Sequence, residues 1–211
     1  MAGRPGLTGL PVNLLVNGRP VVVVGAGRIA ARKIEPLLDL GAEVTVVAPK
    51  ANDEVQAWAA AGRLTFHERP FVPADLETAW LAFTATDDPA VNAAVFAAGE
   101  ARRIWVNSAD DPTNCSLTLM SVIRRSDLVI TVGTGGRSPA LAAHVRRTLE
   151  QEIGPEYEDL LDLLSEARER LRASGRSSED ADWQRAFDQG IVDMVRAGRI
   201  DDAKELLNTC L

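Results

Sequence analysis

The sequence predicts an α/β protein: a doubly wound parallel sheet, then a small α+β module, then a helical C-terminal domain. Three observations carry that prediction. The run VVVV, Val21 to Val24, is apolar, β-branched and ended by glycine. Strand-like and helix-like segments alternate through the first half of the chain. From Gly154 onward the pattern is helical only. An uninterrupted apolar run suits a strand buried on both faces of a parallel sheet. Regular alternation implies helices packed on both sides of that sheet.

The elements follow in order. RIAARKIEPLLDLGA spaces Ile29, Lys33, Leu37 and Leu40 as a helix, with Gly41 as its stop signal. EVTVVAP is the second strand, which completes a βαβ unit of about thirty residues. NDEVQAWAAAGR reads as a short helix, LTFHER as a strand of period two, and TAWLAFTAT as a buried strand. DDPAVNAAVFAAGEARR is an alanine-rich helix and RIWVN a further strand. SLTLMSVIRRSDLVITVGTGG then holds two strands joined around RRSD, and so short a connection makes them antiparallel. SPALAAHVRRTLEQEI opens through Ser138-Pro139, an N-cap followed by proline in the first turn. EYEDLLDLLSEARERLRA is amphipathic, SGRSSEDAD is a polar linker, and the last thirty or so residues suggest two or three short helices. The expected division is residues 1–114, 115–150 and 151–211.

Bulk properties narrow the function. The chain has 211 residues, 46% hydrophobic and 25% charged, an ordinary globular composition. A net charge of −7 argues against a general nucleic-acid binder. Two cysteines, Cys115 and Cys210, show no CxxC spacing and fit a reducing cytoplasm. No segment reaches the roughly 18 apolar residues of a membrane span, and the N-terminus has no long apolar leader core. His67 and His144 are isolated, so no metal site is expected.

Gly25-Ala26-Gly27-Arg28-Ile29-Ala30 is GxGxxA between a strand and a helix, which makes the sheet Rossmann-like. Gly25 permits the tight turn, Gly27 lets a pyrophosphate approach the backbone, and Ala30 keeps helix and strand close. The helix N-terminus supplies unpaired N–H groups and partial positive charge. A bound dinucleotide follows. The acidic residue that would contact an NAD ribose at the end of the second strand is absent, since Ala48, Pro49 and Lys50 stand there. Spacing alone does not choose between NAD and NADP.

A second glycine loop, Gly133-Thr134-Gly135-Gly136-Arg137-Ser138-Pro139, also lies between a strand and a helix. Arg146 and Arg147 lie two turns further on, and Arg124 and Arg125 sit in the hairpin turn. Such a concentration of arginine suits a substrate with several carboxylates, though a solvated charged face explains Arg124 and Arg125 equally well. Between the sheet and the hairpin lies VNSADDPTNC, Val106 to Cys115. Its adjacent Asp110 and Asp111 read from residue type alone as turn chemistry.

GRPVVVVGAGRIAARKIEPLLDLGAEVTVVAP, FTATDDPAVN and VNSADDPTNCSLTLMSVIRRSDLVITVGTGGRSPALA together resemble the precorrin-2 dehydrogenase / sirohydrochlorin ferrochelatase family, the siroheme synthase N-terminal type. The resemblance runs from about Pro11 to Glu150 and more loosely into the tail. It implies oxidation of precorrin-2 to sirohydrochlorin with NAD as hydride acceptor, and in some members Fe2+ insertion to give siroheme. It implies a homodimer built through the hairpin module and helical tail. By position, Arg28, Ile29, Pro49 and Lys50 join Gly25 and Gly27 as cofactor contacts. Asp110 matches the family's catalytic aspartate, whereas Asp111 aligns with a non-acidic position. Thr134 stands where the family has serine, and Gly133 replaces a second serine. Asn107, Thr134, Gly135, Arg137 and Ser138 are the expected substrate contacts. Two other readings compete. A non-catalytic NAD-sensing regulatory domain would call for an acid ending the second strand and leaves GTGGRSPALA unexplained. In a dehydrogenase of another small substrate, the short-chain type is disfavoured by the lack of a YxxxK pair, since Tyr157 is the one tyrosine.

Overall fold

The computed structural model describes residues 9–109 and 111–211. The described residues form two compact units, Gly9–Leu119 and Met120–Leu211. The second unit holds both the hairpin and the helical region.

The first unit is a five-stranded sheet with strands β1 (Pro20–Val24), β2 (Glu43–Ala48), β3 (Thr65–Glu68), β4 (Leu81–Thr84) and β5 (Trp105–Ser108). Their order is β3-β2-β1-β4-β5, and every pairing is parallel. Val21 to Val24 are each no more than 4% exposed, as a central strand requires. Helices α1 (Arg28–Asp39) and α2 (Asp53–Ala60) cover one face, where Ala30, Ile34, Leu37 and Val55 pack against Val21, Val23, Val44 and Val46. Helix α3 (Pro89–Arg102) and a 3-10 turn at Pro73–Leu76 cover the other, where Val95, Ala98 and Leu76 meet Val22, Val24, Ala82 and Val106. This is the predicted doubly wound architecture. The buried stripe of α1 is Ala30, Ala31, Ile34 and Leu37. It is therefore rotated by about one residue from the expected stripe: Ile29 is 41% exposed, and Leu40, the C-cap, is 43% exposed.

The chain leaves β1 toward β2 on one side and reaches β4 on the other. The strand order reverses there, and such a switch point opens a crevice at the C-terminal strand ends. Gly25 follows β1 and Ala85 follows β4, so both lie at that crevice.

In the second unit, β6 (Ser121–Arg125) and β7 (Leu128–Val132) pair antiparallel. Helix α4 (Pro139–Glu152) packs on the hairpin. Ser138 Oγ accepts from Leu141 N at 3.2 Å, which makes it the expected N-cap, with Pro139 in the first turn. Helices α5 (Glu156–Ala173), α6 (Trp183–Asp188), α7 (Ile191–Arg196) and α8 (Ile200–Cys210) enclose a core of Leu160, Leu163, Ala186, Ile191, Val195 and Leu207. Arg196 donates to Glu156 at 2.9 Å and ties α7 to the start of α5. Among the described residues no helix is long and apolar enough to cross a membrane.

Candidate functional site

Two different constraints act on the first glycine loop. Gly25 has φ +104°, and a Cβ there would lie 2.4 Å from the Ala85 carbonyl oxygen. The protein itself excludes any side chain at this position. Gly27 is the opposite case, because a Cβ there would meet nothing within 4 Å. Gly27 is also the N-cap of α1, and no side chain caps that helix. Space is therefore open beside Gly27, and the first N–H groups of α1 have no side-chain cap, the arrangement that binds an anion. The protein's own packing gives no reason for a glycine at 27; a pyrophosphate lying against the backbone does. Ala30 is fully buried, as close helix–strand packing requires.

Backbone hydrogen bonds hold the neighbouring loop beside this cradle. Gly25 N donates to Val47 O at 2.9 Å, and Asn52 N donates to Ala26 O at 3.0 Å. Pro49 and Lys50 lie in the span so fixed, and both are exposed, as are Arg28 and Ile29. No acid ends β2, so the contact usual for an NAD ribose has no donor-matching carboxylate here.

On the β4 side a polar network braces the crevice. Thr84 Oγ1 and Thr86 Oγ1 both donate to Asn92 Oδ1, the second at 2.9 Å. Asn92 Nδ2 returns a bond to Thr86 O at 3.0 Å, and Asp88 caps α3 through Ala90 N at 2.8 Å. This network fixes the Ala85 carbonyl against Gly25. It is what Thr84, Thr86, Asp88 and Asn92 of FTATDDPAVN do in the fold.

The predicted catalytic residue, Asp110, lies outside the described residues. Ala109 N donates to Thr84 O at 2.8 Å. Asp111 Oδ1 accepts from Thr113 N at 3.2 Å and from Thr113 Oγ1 at 2.6 Å. Asp111 Oδ2 accepts from Asn114 Nδ2 at 2.5 Å. The Thr113 and Asn114 bonds hold the Asp111 carboxyl below the usual carboxylate range. Asp111 is thus the cap of the 3-10 turn Pro112–Asn114, as its place before proline suggests. Burial pushes the Cys115 thiol up, with Asp111 adding to the shift, so Cys115 is no ready nucleophile.

Asn107 is 6% exposed, and its side chain is engaged within the unit. Its Oδ1 accepts from Lys33 Nζ at 2.9 Å, and its Nδ2 donates to Leu117 O at 3.0 Å. Ser108 Oγ is buried with no hydrogen-bond partner among the described residues.

In the second glycine loop, Gly135 (φ +59°) and Gly136 (φ +72°) take left-handed conformations. Thr134 Oγ1 accepts from Ser138 N at 3.2 Å and lies 3.1 Å from Ser138 O. Arg137 N donates to Thr134 O at 3.1 Å, and the Arg137 side chain is exposed. The hydroxyls of Thr134 and Ser138 therefore shape the loop and cap α4, and Arg137 is its charged group. The neighbouring arginines divide. Arg125 donates to Ile153 O at 3.1 Å and Glu150 O at 3.4 Å, closing the C-terminus of α4. Arg146 pairs with Glu150 one turn away. Among the described residues no group of three or more His, Cys, Asp and Glu side chains is gathered to hold a metal ion.

Residues 12–121, just over half of the chain, match the family described as "Putative NAD(P)-binding". The chain belongs to that family. It is 33% identical over 204 residues to the siroheme synthase of Nitrosococcus oceani, covering 96% of this chain and 44% of that protein. With the siroheme synthase of Escherichia coli O139:H28 it is 38% identical over 180 residues, 84% of this chain and 39% of that one. The chain thus spans less than half the length of these curated relatives. The solved structure of "SirC, precorrin-2 dehydrogenase" superposes with a TM-score of 0.76 at 28% identity, covering 96% of this chain and 98% of that chain.

Two contributors escaped the sequence reading. Asn92 gave no signal, since a polar residue in an alanine-rich helix reads as its solvent face. Lys33 did leave one: it interrupts the apolar series Ile29, Leu37 and Leu40, and a lysine so placed calls for a partner.

Proposed function

We propose that this protein catalyses the NAD-dependent dehydrogenation of precorrin-2 to sirohydrochlorin, as a cytoplasmic homodimer. The observation that carries the reading is the open, uncapped cradle at Gly27 in a chain that resembles a precorrin-2 dehydrogenase from end to end. NAD+, when bound, supplies the hydride acceptor. Gly25, Gly27, Arg28 and Ile29 hold its pyrophosphate, and Pro49 and Lys50 border its ribose.

Removing a hydride from the macrocycle leaves a proton to be taken up. Asp110 accepts that proton, or orients the macrocycle by accepting from its pyrrole N–H groups. A carboxylate suits both roles, and desolvation by a large apolar ring makes it a stronger base. Arg137 and the backbone of Gly135 meet the substrate's carboxylates, with Thr134 and Ser138 holding that loop in shape. Asn107 borders the pocket through the strand end that it fixes. The hairpin and helical unit supplies the dimer contact. The siroheme synthase relatives extend the reading to Fe2+ as a co-substrate, with Asp110 taking protons from the pyrrole nitrogens as the metal enters.

Anaerobic incubation with precorrin-2 and NAD+, with and without Fe2+, followed by absorbance, tests this. The expected result is NADH formation in step with sirohydrochlorin, lost by at least about 100-fold in Asp110→Ala, the scale of one acid–base group. Asp111→Ala keeps most of the activity. NAD+ binding without turnover would favour the regulatory reading instead. Metal-dependent spectral change in the Fe2+ arm decides the chelatase extension.

A further inference from the structure

Helix α1 carries a charged side chain to the end of β5. Lys33 lies in the second turn of α1, directly downstream of the glycine loop, and is half-buried. Its Nζ donates to Asn107 Oδ1 at 2.9 Å and stands 5.9 Å from the centroid of the Phe83 ring. Phe83 and Asn107 are neighbours across the β4–β5 pairing, 2% and 6% exposed. The same Asn107 amide donates to Leu117 O, so it joins three segments: α1, β5 and the stretch that returns from the Ser108–Cys115 loop.

That loop is also pinned from within. Ser108 N donates to Cys115 Sγ at 3.1 Å, and Sγ lies 3.3 Å from both Ser108 O and Asp111 O. Ser108 and Asp111 bracket Asp110 in the chain. A lysine at an ordinary helix position extends its ammonium to water. Here the ammonium lies over an aromatic face and against a buried amide, which holds it in one place on β4 and β5.

We propose that Lys33 is a positioning residue of the dehydrogenation: it fixes α1, the helix that receives the cofactor's pyrophosphate, to the strand end that leads into the Ser108–Cys115 loop, the loop whose sequence carries the proposed base. This rests on the dehydrogenase reading above. The Lys33–Asn107 bond spans 74 residues of sequence and links two parts that must agree in position. A displacement of about 1 Å between reacting groups costs roughly 100-fold in rate.

The test uses the whole chain carrying Lys33→Met or Lys33→Arg in a Cys210→Ala background, with two readouts. One is NADH formation from precorrin-2. The other is the rate at which Cys115 reacts with a thiol reagent. Lys33→Met is expected to lower kcat by about 100-fold while KM for NAD+ changes by less than about twofold. Lys33→Arg, which still donates and remains charged, restores kcat to within about tenfold of the parent. Cys115 labels at least about fivefold faster in Lys33→Met, because the loop opens more often. Parent-like kcat in Lys33→Met overturns the proposal. So does a Lys33→Arg defect as deep as that of Lys33→Met, which would mean packing alone. A rise in KM for NAD+ with kcat untouched also overturns it, by assigning Lys33 to the cofactor. If the parent protein forms no NADH from precorrin-2, the dehydrogenase reading fails and the labelling rate decides the tie alone. Faster labelling keeps Lys33 as the anchor of the loop, and an unchanged rate removes it.

Discussion

The two glycine loops look alike in sequence and are built for different ends. Both follow a strand and open a helix. At the first, Gly25 is imposed by the Ala85 carbonyl, while Gly27 faces open space and α1 has no side-chain cap. At the second, Gly135 and Gly136 serve left-handed turns, the Thr134 hydroxyl bonds Ser138, and the Ser138 hydroxyl caps α4. One loop leaves backbone donors unspent; the other uses its side-chain polar groups to hold its own shape. A glycine-rich strand-to-helix turn is a strong anion site only in the first condition. In the second, the charged group that projects from the loop is the exposed Arg137.

The largest expected effect breaks the first loop outright. Gly25→Ala meets a carbonyl oxygen at 2.4 Å in a backbone conformation that strains any L side chain. It should destabilise the protein by about 3 kcal/mol and lower Tm by roughly 6–12 °C in a thermal melt. Gly27→Ala should separate binding from stability. Its methyl group meets no protein atom within 4 Å, so Tm should stay at the wild-type value. The KM for NAD+ should rise at least about tenfold as the methyl fills the space left for the pyrophosphate. Ser138→Ala is the counterpart in the second loop. Losing the cap on Leu141 N should cost about 1 kcal/mol, seen as a Tm lower by roughly 2–4 °C, with KM for NAD+ unchanged.

The smallest effect is electrostatic and lies beside the first loop. Arg69 N donates to Ala48 O at the end of β2, and its guanidinium pairs with Asp75, Nη2 to Oδ1 at 2.5 Å. The Arg69 hydrogen bond holds the Asp75 carboxyl below its ordinary value, against the opposing pull of burial. A carboxyl depressed in the folded state adds stability above its unfolded value, near 3.8, and that stability is lost as pH falls through the folded value. Arg69→Gln should therefore lower stability slightly at neutral pH and flatten the acid limb of a stability–pH curve, the difference from wild type vanishing as pH falls well below about 4.

The sheet, its helices and the first loop were legible because their signals are local: the valine run, the 3.6-residue spacing, and GxGxxA between strand and helix. The hairpin was legible for the same reason. The supports of the site were not. Lys33 and Asn107 meet across 74 residues, and no local pattern reports such a pair. Asn92 left no signal within an alanine-rich helix, and its part in the site lies in the Thr84 and Thr86 hydroxyls that converge on it. Thr134 and Ser138 read as ligand contacts because hydroxyls in a glycine loop suit such a use; the folded geometry adds that the Thr134 hydroxyl bonds the Ser138 backbone and the Ser138 hydroxyl caps α4. The arginines divided in the same way. Helix spacing hints at the Arg146–Glu150 pair, but the Arg125 bonds to the carbonyls ending α4 depend on how the hairpin meets the helix.

Calorimetric titration of NAD+ into wild type, Gly27→Ala and Ser138→Ala, with thermal melts of each, tests the contrast between the loops most directly. The expected result is that Gly27→Ala alone loses affinity, at least about tenfold, while Ser138→Ala alone loses thermal stability. Wild-type affinity in Gly27→Ala at wild-type stability would contradict the account, because the open cradle before α1 would then not be where the dinucleotide binds.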